Sequence, residues 1–281
     1  MAFSALNAQN DSTGRSNAKT IFFKIEHPGV DHSSYLFGTH HAFGKSFFDT
    51  LNNVNKALDS ASIFIMENLN IPGKLAQDVI NQRKSTTKWA KYLRKKDRTF
   101  VLDMFDSSGI DWHKMTPAEL SVFLNRYYKE RVCLDLIRDT THFSLDDYIG
   151  TLAREQNKIV KGLETTAEQV ELINKDVEGM PRKVHKKRLT KIIGLIRSGS
   201  RNNCDEISWY LNLNIDYQFN RPCSNTLLLT DRNKKWLPQL DEHMQEKSCF
   251  VAVGLSHLMF DCGIIRLLQQ QGYTVTPVLV N

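Results

Sequence analysis

The sequence lacks the features that mark several specialised classes of protein. None of its apolar runs approaches the roughly 20 residues that cross a bilayer as a helix. It contains no low-complexity tract and no short internal repeat. At 281 residues, with 41% hydrophobic and 24% charged residues, the chain has the composition of a globular protein with one large core, or one core with a sizeable insertion.

Cysteine is scarce and follows no motif. The five cysteines are dispersed and include no C-x-x-C pair: Cys133, Cys204, Cys223, Cys249 and Cys262. An odd, dispersed set argues against a disulfide framework and against a cysteine-based zinc site. Cys249 and Cys262 lie in apolar surroundings, so we expect both to be inert core thiols.

Positive charge is in moderate excess and is concentrated locally. The net charge is +6 and the pI is about 9.0. Residues 181–201 hold eight Lys and Arg and no acidic residue, and their apolar residues at helical spacing predict a basic amphipathic helix. A solvated helix face is the simpler interpretation, and a polyanion or membrane surface is the alternative. Because no aromatic residues are interleaved for base stacking, we expect no nucleic-acid partner.

The first 19 residues are predicted to be a disordered tail or the remnant of a signal peptide. Small residues such as Ala5 and Ala8 are typical of a cleavage region, but a basic start and a full apolar segment are missing. An exported location, periplasmic or secreted, follows from the signal-peptide interpretation, and a cytoplasmic one from the other. Residues 20–281 are predicted to be a single domain.

The pattern of apolar residues predicts an α/β fold. Strands are expected at 21–25, 34–37, 63–66, 159–163, 249–253 and 273–279. Strand–helix–strand units near both ends imply parallel crossovers. Residues 71–140 predict helices only, and the basic helix at 181–201 follows. The expected architecture is therefore a parallel-rich central sheet with flanking helices and a helical insertion.

Several helices have predicted bounds. Apolar spacing indicates one helix from Phe47 to Ala61 and another from Met259 to Gln271, which Gly272 would end. The segment from Thr116 predicts a capping box and a helix to about Ile137, and Thr166-Ala167-Glu168-Gln169 predicts a second capping box.

Two similar motifs mark the ends of two predicted strands. Gly38-Thr39-His40-His41 and Gly254-Leu255-Ser256-His257 each place a glycine after a buried strand and a histidine three residues later. A glycine there allows a tight turn and a close approach of the backbone. A third predicted strand ends at Glu67. Since ligands bind at the carboxyl ends of strands in open α/β sheets, we expect His41, His257 and Glu67 to converge.

This residue set suits metal-assisted chemistry. Two imidazoles and a carboxylate are sufficient ligands for a divalent metal with positions left for water. Such a metal lowers the pKa of bound water and polarises a carbonyl. Glu164, just past another strand, is a candidate ligand or general base, and Arg232 is a candidate for stabilising an oxyanion. His40 is expected to be an accessory neighbour, because adjacent residues at a strand end point to opposite sides.

In this order and spacing the motifs resemble the TraB/GumN family, which includes the Tiki metalloproteases and the pheromone-shutdown proteins. The resemblance covers roughly residues 20–280 and rests on Leu36–His41, Glu67, Gly162–Thr165 with Gln169, Arg232–Asn233, Val253–Leu258 and Gly272–Val275. It implies a fold shared more distantly with ChaN-like haem-binding proteins and erythromycin esterases. The sequence departs from the family at His40, where an apolar residue is usual.

The resemblance implies a metal-dependent hydrolase, with a peptidase as the leading interpretation and a peptide or small molecule as the substrate. His41, Glu67 and His257 would bind the metal, with manganese, cobalt or zinc as candidates. Glu67, Glu164 and Arg232 would be catalytic. Two alternatives stay open: a metal-free esterase-type hydrolase with a histidine as general base, and a non-enzymatic protein that sequesters a peptide or haem.

Overall fold

A mixed six-stranded sheet is the centre of the fold in the computed structural model, which describes residues 17–105, 108–134 and 144–281. In chain order the strands are β1 Asn17–Ala18, β2 Phe22–Glu26, β3 Ser34–Thr39, β4 Ile63–Asn68, β5 Ile159–Glu164, β6 Ile215–Asp216, β7 Cys249–Gly254 and β8 Thr274–Pro277. The large sheet has the order β5-β4-β7-β3-β2-β8, and β1 pairs with β6 in a separate two-stranded sheet.

Strand β7 runs parallel to both of its neighbours, β4 and β3, whereas β2 is antiparallel to β3 and β8. The prediction of an α/β fold with a parallel-rich sheet and flanking helices is therefore confirmed. The parallel arrangement brings the carboxyl ends of β3, β4 and β7 to the same edge of the sheet.

Eleven α-helices accompany these strands in the described part of the chain. They are α1 Lys45–Phe48, α2 Asn52–Ser60, α3 Ala76–Asn81, α4 Lys95–Phe105, α5 Pro117–Tyr128, α6 Leu145–Glu155, α7 Thr166–Lys175, α8 Arg182–Ser198, α9 Asp205–Leu211, α10 Asp231–Glu246 and α11 Ile264–Gln270. Short 3-10 turns lie at Trp89–Lys91, Trp112–Lys114 and Leu255–Leu258, and π-helical turns at Lys129–Cys133 and Thr226–Thr230.

The chain divides into two compact units. The first contains residues up to Glu67, with Ile137–Leu163 and Glu206–Asn281, and the second contains Asn68–Leu136 and Glu164–Asp205. The core of the first unit is the middle of the large sheet. There the ring of Phe250 lies 6.1–6.4 Å from the rings of Phe22, Phe37 and Phe64. These side chains are fully buried because β7 is covered on both faces, as its uninterrupted apolar sequence predicts.

The second unit is helical, and residues 69–105 and 108–134 contain no strand, as expected for the insertion. Helix α5 begins with the predicted capping box, in which Thr116 and Glu119 bond reciprocally. Glu119 is buried and accepts two hydrogen bonds of 2.7 Å from Arg83, with a further one from Asn174. The basic helix is also present, as α8.

Three helix predictions were wrong in detail. The predicted helix 47–61 is two helices, α1 and α2. The amide N–H of Asn53 bonds to the carbonyl of Val280 rather than to the preceding turn. Helix α11 begins at Ile264 instead of Met259, since Phe260 has a φ of +69° and donates its N–H to another segment, at the carbonyl of Tyr217. The capping box of α7 begins one residue earlier than predicted, at Thr165.

The expectation of no disulfide was wrong. Cys133 pairs with Cys204, and Cys223 pairs with Cys262, with Cα–Cα distances of 5.4 and 5.9 Å. The partners are 71 and 39 residues apart in sequence, so no local spacing motif predicts these disulfides. Cys262 is thus a disulfide cysteine and not an inert thiol, while Cys249 is the buried free cysteine that was predicted.

Most of the predicted tail at residues 1–19, the end of the insertion near residue 140 and the end of the helix predicted to reach Ile137 lie outside the described residues. In the part that is described, no helix combines the length and the apolarity that crossing a membrane requires.

Candidate active site

Glu67 is the point at which three elements of the first unit meet. It lies in β4, and its side chain is only 11% exposed. Its Oε1 accepts the backbone N–H of Gly254 at 2.7 Å, and its Oε2 accepts from Nη2 of Arg232 at 2.8 Å. Burial raises the pKa of Glu67, whereas the electrostatic effect of His257 and Arg232 lowers it, and the lowering prevails. The side chain is therefore held as a carboxylate.

Arg232 joins the predicted glutamate to the second predicted histidine. Its Nη1 donates to Nε2 of His257 at 2.9 Å, while Nη2 donates to Glu67. The guanidinium also lies 4.6 Å from the ring of Trp236, in cation–π geometry. Arg232 is the second residue of its helix, α10, and its side chain is turned into the site. It is therefore not the surface residue that a helix position suggests by default.

His257 is buried, and its tautomer is defined by its partners. Its Nδ1 lies 2.7 Å from Oδ1 of Asn233, an acceptor, so Nδ1 carries the proton. Nε2 then has the lone pair that accepts from Arg232. Burial, with the nearby charge of Arg232, lowers the pKa of His257 to about 4. The imidazole is consequently neutral near pH 7, which is the form that binds metals or accepts protons.

Asn233 is the residue that keeps His257 in this state. It is completely buried, and its Nδ2 donates to the carbonyls of His257 and Cys262. Both polar atoms of its side chain therefore bond to the segment that follows β7. Its position next to Arg232 was noted in the sequence, but its role was missed because an asparagine inside a helix carries no distinctive pattern.

His41 is paired with a carboxylate that sequence reasoning missed. Nδ1 of His41 lies 2.7 Å from Oδ2 of Asp146, whose Oδ1 accepts from Oγ1 of Thr39 at 2.5 Å. Burial raises the pKa of Asp146. The electrostatic effect and the hydrogen bond of His41 lower this pKa by more than burial raises it, so the net shift is downward. Asp146 lies in the first turn of α6, where an acidic residue is ordinary, and no sequence signal set it apart.

His40 occupies different surroundings from His41. Its Nε2 lies 3.1 Å from Oε1 of Glu206, and its Nδ1 accepts the N–H of Ala42. Its ring packs 5.4 Å from Phe43 and 5.3 Å from Tyr210, and its side chain is 9% exposed, against 56% for His41. The adjacent histidines thus face different partners, and His40 is a packed neighbour in this arrangement.

The motif glycines provide close approach rather than an unusual turn. A Cβ at Gly254 would lie 3.1 Å from Oε1 of Glu67, and one at Gly38 would lie 2.7 Å from Cδ1 of Leu255. Neither glycine has a positive φ. Their lack of a side chain lets the turn after β7 pack against β3 and β4.

Glu164, the other predicted site residue, ends β5, is buried and belongs to the second unit. The structure thus brings Glu67, Arg232 and His257 into direct contact. His41 lies near enough for its protonated form to lower the pKa of both Glu67 and His257, whereas Asp146 raises the pKa of Glu67.

The donors at this site fit a divalent metal in their chemistry. Glu67 is a carboxylate, and His257 is neutral with its lone pair on Nε2. Both already bond to a cation, the guanidinium of Arg232. His41 lies farther away: within the described residues, the set of three potential ligands that lies within 4.8 Å is Cys223, Asp261 and Cys262, and two of these form a disulfide.

Comparison with known proteins identifies one family. The profile of the TraB/PrgY/gumN family matches residues 21–277, nearly the whole chain. No curated protein and no solved structure matches the chain significantly.

Proposed function

The chain belongs to the TraB/PrgY/gumN family, and on that premise we propose that it is a metal-dependent hydrolase with peptides as its leading substrate class. The observation that carries the proposal is the convergence of Glu67 and His257 on one cation, with Oε1 and Nε2 3.7 Å apart. Ligand atoms that bind one metal at about 2.0–2.2 Å are roughly 3–4 Å from each other. The pair therefore has the spacing of two neighbouring ligands.

Each residue of the site has a role in this proposal. Glu67 and His257 would hold the ion, with His41 as the third ligand. A bound divalent ion supplies Lewis acidity toward water and a substrate carbonyl. Asn233 keeps the proton on Nδ1 of His257, and Asp146 does the same for His41, so that the lone pair of each ring lies on Nε2. At His257 the ion would take the place of Nη1 of Arg232, which donates to that lone pair. Arg232 would stabilise negative charge on the carbonyl oxygen.

Metal analysis combined with a cleavage assay tests the proposal. We expect the purified protein to bind a divalent metal and to cleave members of a peptide library. His41→Ala, Glu67→Gln and His257→Ala should each lower metal content and cleavage, whereas His243→Ala, a histidine outside the site on α10, should change neither. Absence of metal uptake, together with unchanged cleavage in His41→Ala and His257→Ala, would contradict the proposal.

A second candidate function rests on the pairing of His41 with Asp146. A histidine with a largely exposed ring and a buried carboxylate on Nδ1 is the arrangement of a general base and its orienting group. On this basis the protein would be a metal-free, esterase-type hydrolase in which Nε2 of His41 accepts the proton of water. Activity on ester substrates that survives exhaustive chelation but disappears in His41→Ala would favour this candidate over the first.

A further inference from the structure

A cationic cleft lies in the second unit, separate from the site described above. It is formed by the turn at Trp89, the first two turns of α4 and the turn at Trp112, and its volume is about 430 Å³. Pockets of about 300–1,000 Å³ are typical of small-molecule sites. The charged or polar side chains that line it include Lys88, Lys95 and Arg98, and no acidic residue lines it.

The three cations of this cleft have no carboxylate partner among the described residues. Neighbouring cations behave differently: Arg94 pairs with Asp97, and Arg83 pairs with Glu119. The second unit contains 22 Lys and Arg against 14 Asp and Glu, a net charge of +8, while the whole chain has +6. The unit as a whole therefore attracts anions, and the positive charges of Lys88, Lys95 and Arg98 in the cleft are not neutralised by a carboxylate of the described residues.

Two buried hydrogen-bond donors of the cleft residues also lack acceptors. Nε of Arg98 and Nε1 of Trp112 are both buried without a hydrogen-bond partner in the described structure. Trp112 is 5% exposed, so it does not reach bulk water. A buried donor without an acceptor is unfavourable in a folded protein. Both atoms are closed to a water-sized group, so an anion in the cleft would bind the charged ends of Lys88, Lys95 and Arg98 and not these two donors.

The cleft also has an apolar lining. Leu102 lines the cleft and is 48% exposed. The rings of Trp89 and Trp112 stack with centroids 5.3 Å apart and form part of the wall. An inorganic anion would leave this surface in water, whereas an anion attached to an apolar group would cover it.

We propose that the cleft of Lys88, Lys95 and Arg98 binds a phosphate monoester attached to an apolar or aromatic group. A phosphate monoester carries about −1.5 to −2 charges near pH 7 and three acceptor oxygens. It matches three cations better than a carboxylate with its single charge. This inference does not depend on the proposed hydrolase activity.

Calorimetric titration with phenyl phosphate tests the proposal, with inorganic phosphate and phenol as partial ligands. Phenyl phosphate should bind at least 10-fold more tightly than either, and binding should weaken with added salt. The double variant Lys95→Gln/Arg98→Gln should lose at least 10-fold in affinity. The matched variant Lys74→Gln/Lys84→Gln removes two lysines of the same unit that do not line the cleft, and it should bind like the wild type.

A second variant keeps the test decisive if the first does not fold. Leu102→Asp introduces a carboxylate into the cleft at an exposed position, so it should abolish binding while thermal unfolding stays near that of the wild type. Equal affinity for inorganic phosphate and phenyl phosphate would contradict the proposal that the cleft also binds an apolar or aromatic group attached to the phosphate. Equal loss in the two double variants, or undisturbed binding in Leu102→Asp, would overturn the cleft as the site.

Discussion

Asp146 holds the imidazole of His41 in place through a hydrogen bond: Oδ2 of Asp146 lies 2.7 Å from Nδ1 of His41. The side chain of Asp146 is 11% exposed, whereas that of His41 is 56% exposed. The second oxygen of Asp146 is held by Thr39, at the end of the strand that carries the histidine motif. The Nδ1 atom of the imidazole is thus anchored by a buried carboxylate. This relationship defines what His41 can do, whether it binds a metal or accepts a proton.

Replacing Asp146 with alanine should release this constraint. Without the carboxylate, His41 should populate both tautomers, and hydrolysis or metal affinity should fall by about 10–100-fold, as is usual for partners of ligating histidines. The tautomers can be measured by ¹⁵N NMR of histidine-labelled protein without metal. Asp59→Ala, which removes a surface carboxylate bonded to Gln156, is the control and should leave the His41 signals unchanged. A single, unshifted His41 tautomer in Asp146→Ala would show that Asp146 does not position it.

A methyl group at Gly254 should disturb Glu67. The added Cβ would lie 3.1 Å from Oε1, beside the N–H that this oxygen accepts at 2.7 Å. We expect Gly254→Ala to fold but to lose at least 10-fold in hydrolytic activity, because the carboxylate must shift by a few tenths of an ångström. Gly194→Ala provides the control: that glycine lies within α8, and a Cβ added there would meet open space.

The control variant Gly194→Ala should itself change the stability of the protein. Alanine at a helical position with open space should stabilise the protein by about 0.5–1 kcal/mol, with activity unchanged. Thermal unfolding and activity measured on both variants separate the two effects. If Gly254→Ala retained full activity, the close approach of β7 to Glu67 would not matter for function.

The two disulfides should contribute measurably to stability. Closing loops of 71 and 39 residues removes chain entropy from the unfolded state, worth about 3–5 kcal/mol for each bond in the loop-entropy model. Cys223→Ser/Cys262→Ser should therefore lower the free energy of unfolding by an amount in this range, and reduction of both bonds should lower it by about twice as much. Urea unfolding with and without reductant measures it, and peptide mapping by mass spectrometry checks the pairings. Cys249→Ser should not alter the effect of the reductant.

The order of strands could not be read from the sequence, although their positions could. The buried strands at β3, β4 and β7 were predicted within a few residues, since runs such as Cys249–Val253 are apolar without interruption. That β7 inserts between β4 and β3 depends on long-range pairing, which local periodicity does not encode. It is nevertheless this insertion that places the glycine of the second motif against Glu67.

The sequence predicted which types of residue form the candidate site, but it did not predict the hydrogen-bond partners of those residues. A glycine at a strand end with a histidine three residues later indicates a candidate site residue, so the sequence pointed to His41 and His257. Their partners Asp146 and Asn233 come from helices more than 20 residues away in sequence, and each looks like an ordinary helical residue. Likewise the cysteine pairs are distant in sequence, and only the folded chain brings them together.

The buried Glu119 should make stability depend on pH. Burial raises the pKa of Glu119, but the hydrogen bonds of Arg83, Asn174 and Thr116 lower it more, so the folded-state value lies below that of the unfolded chain. A lowered carboxylate pKa stabilises the fold above the unfolded value of about 4.3, and this contribution is lost as pH falls through the folded-state pKa. Glu119→Gln should accordingly destabilise by about 3–5 kcal/mol at pH 7, where Arg83 loses its partner.

The difference between wild type and Glu119→Gln should shrink below about pH 4, because protonated Glu119 no longer holds the charge of Arg83. Urea unfolding at a series of pH values from about 3 to 7 measures both curves. Glu171→Gln, on an exposed position of α7, removes a carboxylate without breaking the pair with Arg83, and surface changes of this kind are usually within about 0.5 kcal/mol. Parallel pH curves for the wild type and Glu119→Gln would mean that the pair with Arg83 does not stabilise the charged form.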